Sequence, residues 1–264
     1  MANGLRKVVR KVKRAILRDE STYYDMFLNR GEQFFGRLYH HEIRKTLQAQ
    51  GFQPPLRILD AGCQAGRLAI PLALDGHRVT GVDTSAVGLR RLKRHAKESG
   101  VTPELIRADL SRWLPRCPDA SFDVVVCAEV LYLRKNFRIL LQELSRVLRP
   151  GGLCFISHRP TGYYLAEAFQ HQDWDAVRLL LSFKEGILFG SYYNWQDRED
   201  LDQLYRQVGL EPLAITPIGF LSWLAIKPDD LTPEGQELLF KAEQASHQRC
   251  PGSGRYLLVC ARRS

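Results

Sequence analysis

Between residues 55 and 157 short Val/Ile/Leu runs alternate with helix-length segments, and this alternation constrains the fold more than any other feature of the 264-residue chain. Strand-like runs occur at Leu56–Asp60, Arg78–Asp83, Leu105–Ala108, Phe122–Cys127 and Leu153–Ser157. Most are separated by stretches of helical length, Arg67–Leu74, Ala86–Ser99 and Asn136–Leu148, with stops at Gly76, Gly100 and Pro150-Gly151-Gly152. Apolar strands alternating with helices need cover on both sides, so the pattern predicts an α/β fold around a parallel sheet with helices on both faces. Past Ser157 the order is less regular. Residues 158–196 are aromatic and mixed, Asp197–Val208 reads as a helix closed by Gly209, and Leu213–Thr216 and Arg255–Ala261 read as two further strands.

Charge is unevenly placed. Arg6, Lys7, Arg10, Lys11, Lys13, Arg14 and Arg18 fall in residues 1–18 with no acid among them, so this arm supplies seven of the nine net positive charges. Its apolar residues, Leu5, Val8, Val9, Val12, Ala15 and Ile16, recur at helical spacing. Two readings stand side by side: residues 5–18 touch an anionic membrane or nucleic acid, or the stripe packs on the body. The division read from the chain is a basic amphipathic arm and N-terminal helical cover at 1–50, then one α/β domain at 51–264 with lid segments at 158–196 and 220–250. No apolar run approaches the roughly 18 residues of a bilayer span. The six cysteines form no C-x-x-C pair and show no zinc spacing, so no metal site is expected and the location read from them is a reducing, cytoplasmic one, with the arm allowing peripheral membrane contact.

The chemistry-bearing stretch is Asp60-Ala61-Gly62-Cys63-Gln64-Ala65-Gly66-Arg67, where a strand ends on a carboxylate, turns on glycines and opens a helix. Asp83 ends the next strand 23 positions later, where a carboxylate can accept the hydroxyls of a ribose. Together these features point to a nucleoside-containing ligand. A dinucleotide loop wants G-x-G-x-x-G, and here Gln64 and Arg67 stand at two of its glycine positions. Each acid also has a plainer reading as a helix cap or turn former, but Asp60, Asp83 and Asp109 recur at three successive strand ends, which turn chemistry does not require.

The order of motifs, D-x-G-x-x-x-G at Asp60–Gly66, strand-Asp at Asp83, Ala108-Asp109, Phe122–Leu131 and Arg146–Gly152, resembles the class I S-adenosylmethionine-dependent methyltransferases, in particular the small-molecule ubiquinone/menaquinone type. The resemblance implies a Rossmann-like seven-stranded, mostly parallel sheet with an antiparallel edge, and S-adenosyl-L-methionine as cofactor. By position, it implies that Asp60, Ala61 and Gly62 line the methionine end, largely through backbone groups, and that Gly66 belongs to the same cofactor-binding loop. Asp83 and Thr84 would hold the ribose, Asp109 and Leu110 the adenine, and Cys127 and Ala128 would lie beside the methionine part. Gln64 departs from the family, which usually has a second glycine there.

Methyl transfer from a sulfonium needs an in-line nucleophile held about 3–3.5 Å away, and a base only if the acceptor must lose a proton. The candidates for that base are Glu129, past the fourth strand, and His158, read as just past the fifth. Tyr23, Tyr163, Tyr193 and Trp195 are candidate acceptor contacts, because aromatic walls suit a small, apolar or aromatic molecule. Two other functions use the same fold: an RNA or protein methyltransferase employing the basic arm, and a non-catalytic cofactor-binding regulator. Against base methylation, Ala128-Glu129-Val130-Leu131 stands where an Asn-Pro-Pro-Tyr-like motif would be.

Overall fold

The computed structural model describes residues 25, 27–221, 227–246 and 253–264. The basic arm and Tyr23 lie outside the described residues. Five strands run parallel in the order of the sequence runs: β1 (Arg57–Ala61), β2 (Arg78–Asp83), β3 (Glu104–Arg107), β4 (Phe122–Cys127) and β5 (Leu148–His158). Two later strands, β8 (Leu210–Ile218) and β9 (Tyr256–Arg263), complete one seven-stranded sheet in the order β3-β2-β1-β4-β5-β9-β8, with β9 antiparallel to both neighbours. The remaining pair, β6 (Glu185–Leu188) and β7 (Ser191–Asn194), is a separate hairpin.

Strand residues alternate between two cores, as a pleat of period two requires. Ile58, Val124, Val126 and Phe155 face one apolar cluster, while Leu59, Val125, Cys127 and Ile156 face the other. The first cluster is covered by α1 (Arg30–Ala49), α2 (Ala69–Leu74) and α3 (Ala86–Glu98). The second is covered by α4 (Leu110–Trp113), α5 (Phe137–Val147) and a later helix, α8 (Arg198–Arg206). Helix α1 starts where the Asn29 side chain accepts the Glu32 N–H, and it buries Phe34, Phe35, Leu38, Tyr39, Ile43 and Leu47 on one face.

The aromatic stretch 158–196, which has no clear period in the sequence, folds as α6 (Thr161–Gln170), α7 (Trp174–Ser182) and the β6–β7 hairpin. It closes a small core of its own from Tyr163, Tyr164, Ala168, Ala176, Leu180, Leu188 and Trp195. In the 220–250 segment, α9 (Pro233–Ser246) packs Phe240 edge-on against Phe34 of α1, with ring centroids 6.3 Å apart.

Two boundaries differ from the sequence reading in ways that matter. The fifth strand begins at Leu148 and runs through Pro150-Gly151-Gly152, because Phe122 of β4 pairs with Leu148 before a register shift. At its other end it includes His158, which is in register with Leu257 of β9. His158 is therefore a strand residue.

The chain leaves β1 for β2 and β3 on one side, then returns to β4 on the other. The switch point lies between β1 and β4, where open α/β sheets bind ligands beyond the carboxyl ends of their strands. The turn after β1 depends on Gly66, whose φ of +95° favours glycine and where a Cβ would sit 2.7 Å from Leu92 Cγ and 2.9 Å from Ile70 Cδ1. Replacing it by alanine (Gly66→Ala) is expected to cost about 1–3 kcal/mol in urea denaturation; an unchanged midpoint would contradict this account of the turn.

Candidate active site

A cleft of about 690 Å³ opens at the switch point, within the size range of small-molecule sites. Its walls come from the ends of β1, β2, β4 and β5, the start of β9 and the first turn of α1, and they include Asp60, Gly62, Gln64, Asp83, Thr84, Ala128 and Glu129.

Asp60 is 3% exposed, and its Oδ2 is a buried acceptor without a hydrogen-bond partner among the described residues. Burial drives its carboxyl up to about 7, against the opposing pull of Arg67. After β1 the chain turns at Gly62, φ +90°, and Gln64, φ +42°. Gln64 thus takes the left-handed backbone that a glycine would adopt freely, and its N–H donates to Asp83 Oδ2 at 3.0 Å. The other oxygen of Asp83 accepts the Ser85 N–H at 2.7 Å, so this carboxylate is fixed by backbone at the mouth of β2.

Glu129 follows β4 with φ +62°, an uncommon state for a residue with a side chain. Its N–H donates to Ser157 Oγ at 2.7 Å, one carboxylate oxygen meets Arg67 Nη2 at 2.8 Å, and the other accepts from Tyr256 Oη at 2.5 Å. Burial alone would raise this carboxyl; the Arg67 charge and the Tyr256 hydrogen bond outweigh it and hold Glu129 below the usual glutamate value. The same Arg67 reaches Glu32 of α1 at 2.7 Å, where burial prevails and the carboxyl is raised. One guanidinium therefore joins the cover helix to the end of β4.

Arg159, one residue past β5, also lines the cleft. Its Cζ lies 4.1 Å from the ring centre of Tyr163 and 4.8 Å from those of Tyr132 and Tyr256, and its Nη2 donates to Tyr256 Oη at 2.7 Å. Arg255, immediately before β9, stacks over Phe35 at 5.1 Å. Arg134 lines the cleft too and donates to both oxygens of Asp109 at 2.8 and 3.0 Å.

Of the residues singled out from the sequence, the cleft brings together Asp60, Gly62, Asp83, Thr84, Ala128, Glu129 and Tyr193. Ala61, Leu110 and Cys127 are buried among core residues, and Gly66 packs against Leu92 and Ile70. Asp109 caps α4 through the Ser111 N–H; burial pushes its carboxyl up, but the bonds from Arg134 and Ser111 hold it below the ordinary range.

Two placements correct the sequence reading. His158 is fully buried on the opposite side of the sheet, bonded through Nε2 to Tyr205 Oη at 2.8 Å, and burial lowers it to about 3. It is away from the cleft because the strand runs one residue further than expected. Trp195 is also fully buried, donates to the Phe183 carbonyl at 2.6 Å and packs on Tyr164, so it serves the small core of the 158–196 segment; Tyr163 meets the cleft through Arg159.

Glu32, Arg67, Arg134, Arg159, Arg255, Tyr132 and Tyr256 line the cleft and were not picked out as site residues from the sequence. The signal available was Arg67 at a glycine's place in the loop, and arginine next to the ends of β5 and β9.

Removing Arg67 tests the central network. Arg67→Met strands two buried carboxylates and is expected to cost about 3–5 kcal/mol at pH 7. Glu129's share of stability is present at neutral pH and is lost as pH falls through its depressed folded value, while the stranded acids of the variant are relieved by protonation. The gap between wild type and variant in urea melts should therefore narrow between pH 7 and about 4.5; an equal gap at both values would show that the network is not electrostatic.

Known proteins resemble this chain in part of its sequence and in its fold. Residues 59–156 match a family described as "Methyltransferase domain". Ubiquinone biosynthesis O-methyltransferase of Klebsiella pneumoniae is 34% identical over 101 residues, covering 38% of this chain and 41% of that protein. The protein of the same name from Paracidovorax citrulli is 37% identical over 102 residues, covering 38% and 42%. The chain thus spans about two fifths of the length of these curated relatives. Among solved structures, the 1,6-didemethyltoxoflavin-N1-methyltransferase of Burkholderia thailandensis superposes with a TM-score of 0.60 at 18% identity, covering 95% of this chain and 88% of that one. The magnesium protoporphyrin IX methyltransferase of Synechocystis PCC 6803, solved with S-adenosylhomocysteine, gives 0.59 at 18% identity, covering 89% and 84%. Residues 59–156 thus carry the likeness to a methyltransferase domain, and the fold of the chain is one that solved methyltransferases share.

Proposed function

We propose that this chain binds S-adenosyl-L-methionine in the switch-point cleft and transfers its methyl group to a small, aromatic acceptor. The observation that carries the reading is the pair of carboxylates at the ends of adjacent strands: Asp83, fixed by two backbone N–H groups, and Asp60, with a buried oxygen lacking a partner among the described residues. The donor set suits the cofactor. Asp83 with Thr84 suits the ribose hydroxyls, and Asp60 with the Gly62 turn suits the methionine ammonium. Ala128 leaves room beside them, and Arg134 with Asp109 flanks the adenine end. When bound, the cofactor supplies an electrophilic methyl group on a sulfonium.

The chain's own contribution is positioning. Glu129 is tied to Arg67 and Tyr256 and held ionised, so it fixes the β4 end, and its proton-accepting oxygens are already engaged. With His158 on the far side of the sheet, orientation of the acceptor carries the rate. Tyr132, Tyr193 and Tyr256 give the acceptor side aromatic walls, and the lid at 158–196 brings Tyr193 to the cleft. The RNA and protein readings draw on the basic arm, which lies outside the described residues, and on the cations Arg90, Arg91, Lys93, Arg94 and Lys97 of α3; no feature of the cleft favours a non-catalytic role. A reducing, cytoplasmic location fits the five described cysteines, all free thiols and four of them buried; no helix among the described residues is long and apolar enough to cross a membrane.

Calorimetry with S-adenosylhomocysteine tests the reading directly. Binding is expected, and Asp83→Ala should weaken it at least about tenfold; a wild-type protein that gives no binding heat overturns the assignment. Because burial holds the Asp60 carboxyl near 7, an ammonium partner must displace its proton, so affinity should rise as pH increases from about 6 to 8. Asp60→Asn should flatten that profile; a variant that keeps it would move the titrating group elsewhere. Turnover is read by transfer of a labelled methyl group to a panel of small aromatic acceptors, and labelling confined to RNA or protein would exclude the small-molecule assignment.

A further inference from the structure

Arg67 and Arg134 of the cleft are each paired with carboxylates, and among the remaining strand-end side chains charge changes sign with strand order. Asp83 and Asp60 stand at the ends of β2 and β1, Glu129 follows β4, Arg159 follows β5 and Arg255 immediately precedes β9. The acidic end matches the cofactor's ammonium and ribose, which leaves the arginine end for the acceptor. Arg159 is the informative residue there. It touches four tyrosine rings, with Tyr164 at 5.8 Å completing the set, and its one hydrogen bond among the described residues goes to a neutral hydroxyl, Tyr256 Oη. Among the described residues its Nε–H has no acceptor, and no carboxylate lies within ion-pair distance of it. The nearest candidate, Glu129, has both oxygens engaged by Arg67 and Tyr256.

A guanidinium walled by aromatic rings is poorly hydrated, and its planar fork matches a carboxylate lying in the plane of an aryl group. We propose that Arg159 is a specificity-determining residue that seats a carboxylate carried by a planar aromatic acceptor. This deepens the methyltransferase reading and rests on it only for the word acceptor. The carboxylate takes up donors that the fold leaves unanswered, and the tyrosine rings stack on the attached ring. Arg159 orients the acceptor; it moves no proton and makes no bond.

The experiment is calorimetry on the full chain with three acids, benzoate, trans-cinnamate and 2-naphthoate, each compared with its own amide and with phenyl phosphate, with and without saturating S-adenosylhomocysteine. At least one acid should bind about tenfold more tightly than its amide, the value of a charge-assisted hydrogen bond. In Arg159→Gln that preference should fall to within about twofold, while Arg159→Lys keeps part of it and S-adenosylhomocysteine affinity is unchanged. If the glutamine variant does not fold, the wild-type comparison of acid with amide still decides. Acids and amides that bind equally overturn the proposal, as does a preference that survives Arg159→Gln, or phenyl phosphate binding more tightly than every acid. Loss of S-adenosylhomocysteine binding in wild type would sink the functional reading instead, since the acid preference is also measured without it.

Discussion

Arg67 is the interaction on which the site depends. It stands at a position where related phosphate-binding loops carry glycine, and it reaches in two directions, to Glu32 at 2.7 Å and to Glu129 at 2.8 Å. A buried guanidinium between two buried carboxylates is tolerable only while all three are present, because any one alone carries a desolvated charge. The consequence is mechanical. The cover helix α1, the loop after β1 and the turn after β4 are tied into one body, and Gly36 lets α1 come close, since a Cβ there would meet Arg67 Cγ at 2.9 Å. The aromatic face of Tyr39, 5.4 Å from the Arg67 Cζ, closes the remaining side.

From that fixed centre the cleft acquires polarity. On one side are carboxylates held by backbone N–H groups or left with an open oxygen; on the other are guanidiniums set among tyrosine rings. Low-dielectric walls strengthen both fields, so the two halves of the cleft offer ligands opposite signs of potential. The strained backbone of Glu129, φ +62°, sits at the border between them, anchored on Ser157 and Tyr256. Non-glycine residues hold such a conformation only where their surroundings determine it several times over.

The sheet was legible in the sequence because central parallel strands are apolar on both faces and glycine or proline marks their ends. The acids at the ends of β1 and β2 were legible for a related reason: a carboxylate closing a buried strand has few purely structural excuses when it recurs. What was not legible arises from long-range pairing. His158 looked exposed because the end of a strand cannot be read to one residue, and one more residue of pairing with Leu257 turned its ring into the core beside Tyr205. Arg159 and Arg255 are nearly 100 positions apart in sequence and become neighbours of one cleft only through the antiparallel β5–β9 pair. The stretch 158–196 gave no period because its aromatics face one another in a small core of their own, where shape rather than helical or strand repeat decides which side is in.

That self-contained core also partitions the molecule. Tyr164, Trp195 and Leu188 satisfy one another within the cap, while the cap meets the cleft through Tyr193 and the tyrosine faces around Arg159. A change of shape within that core would therefore reach the cleft through its tyrosine wall, without a contact to the acids that close β1 and β2.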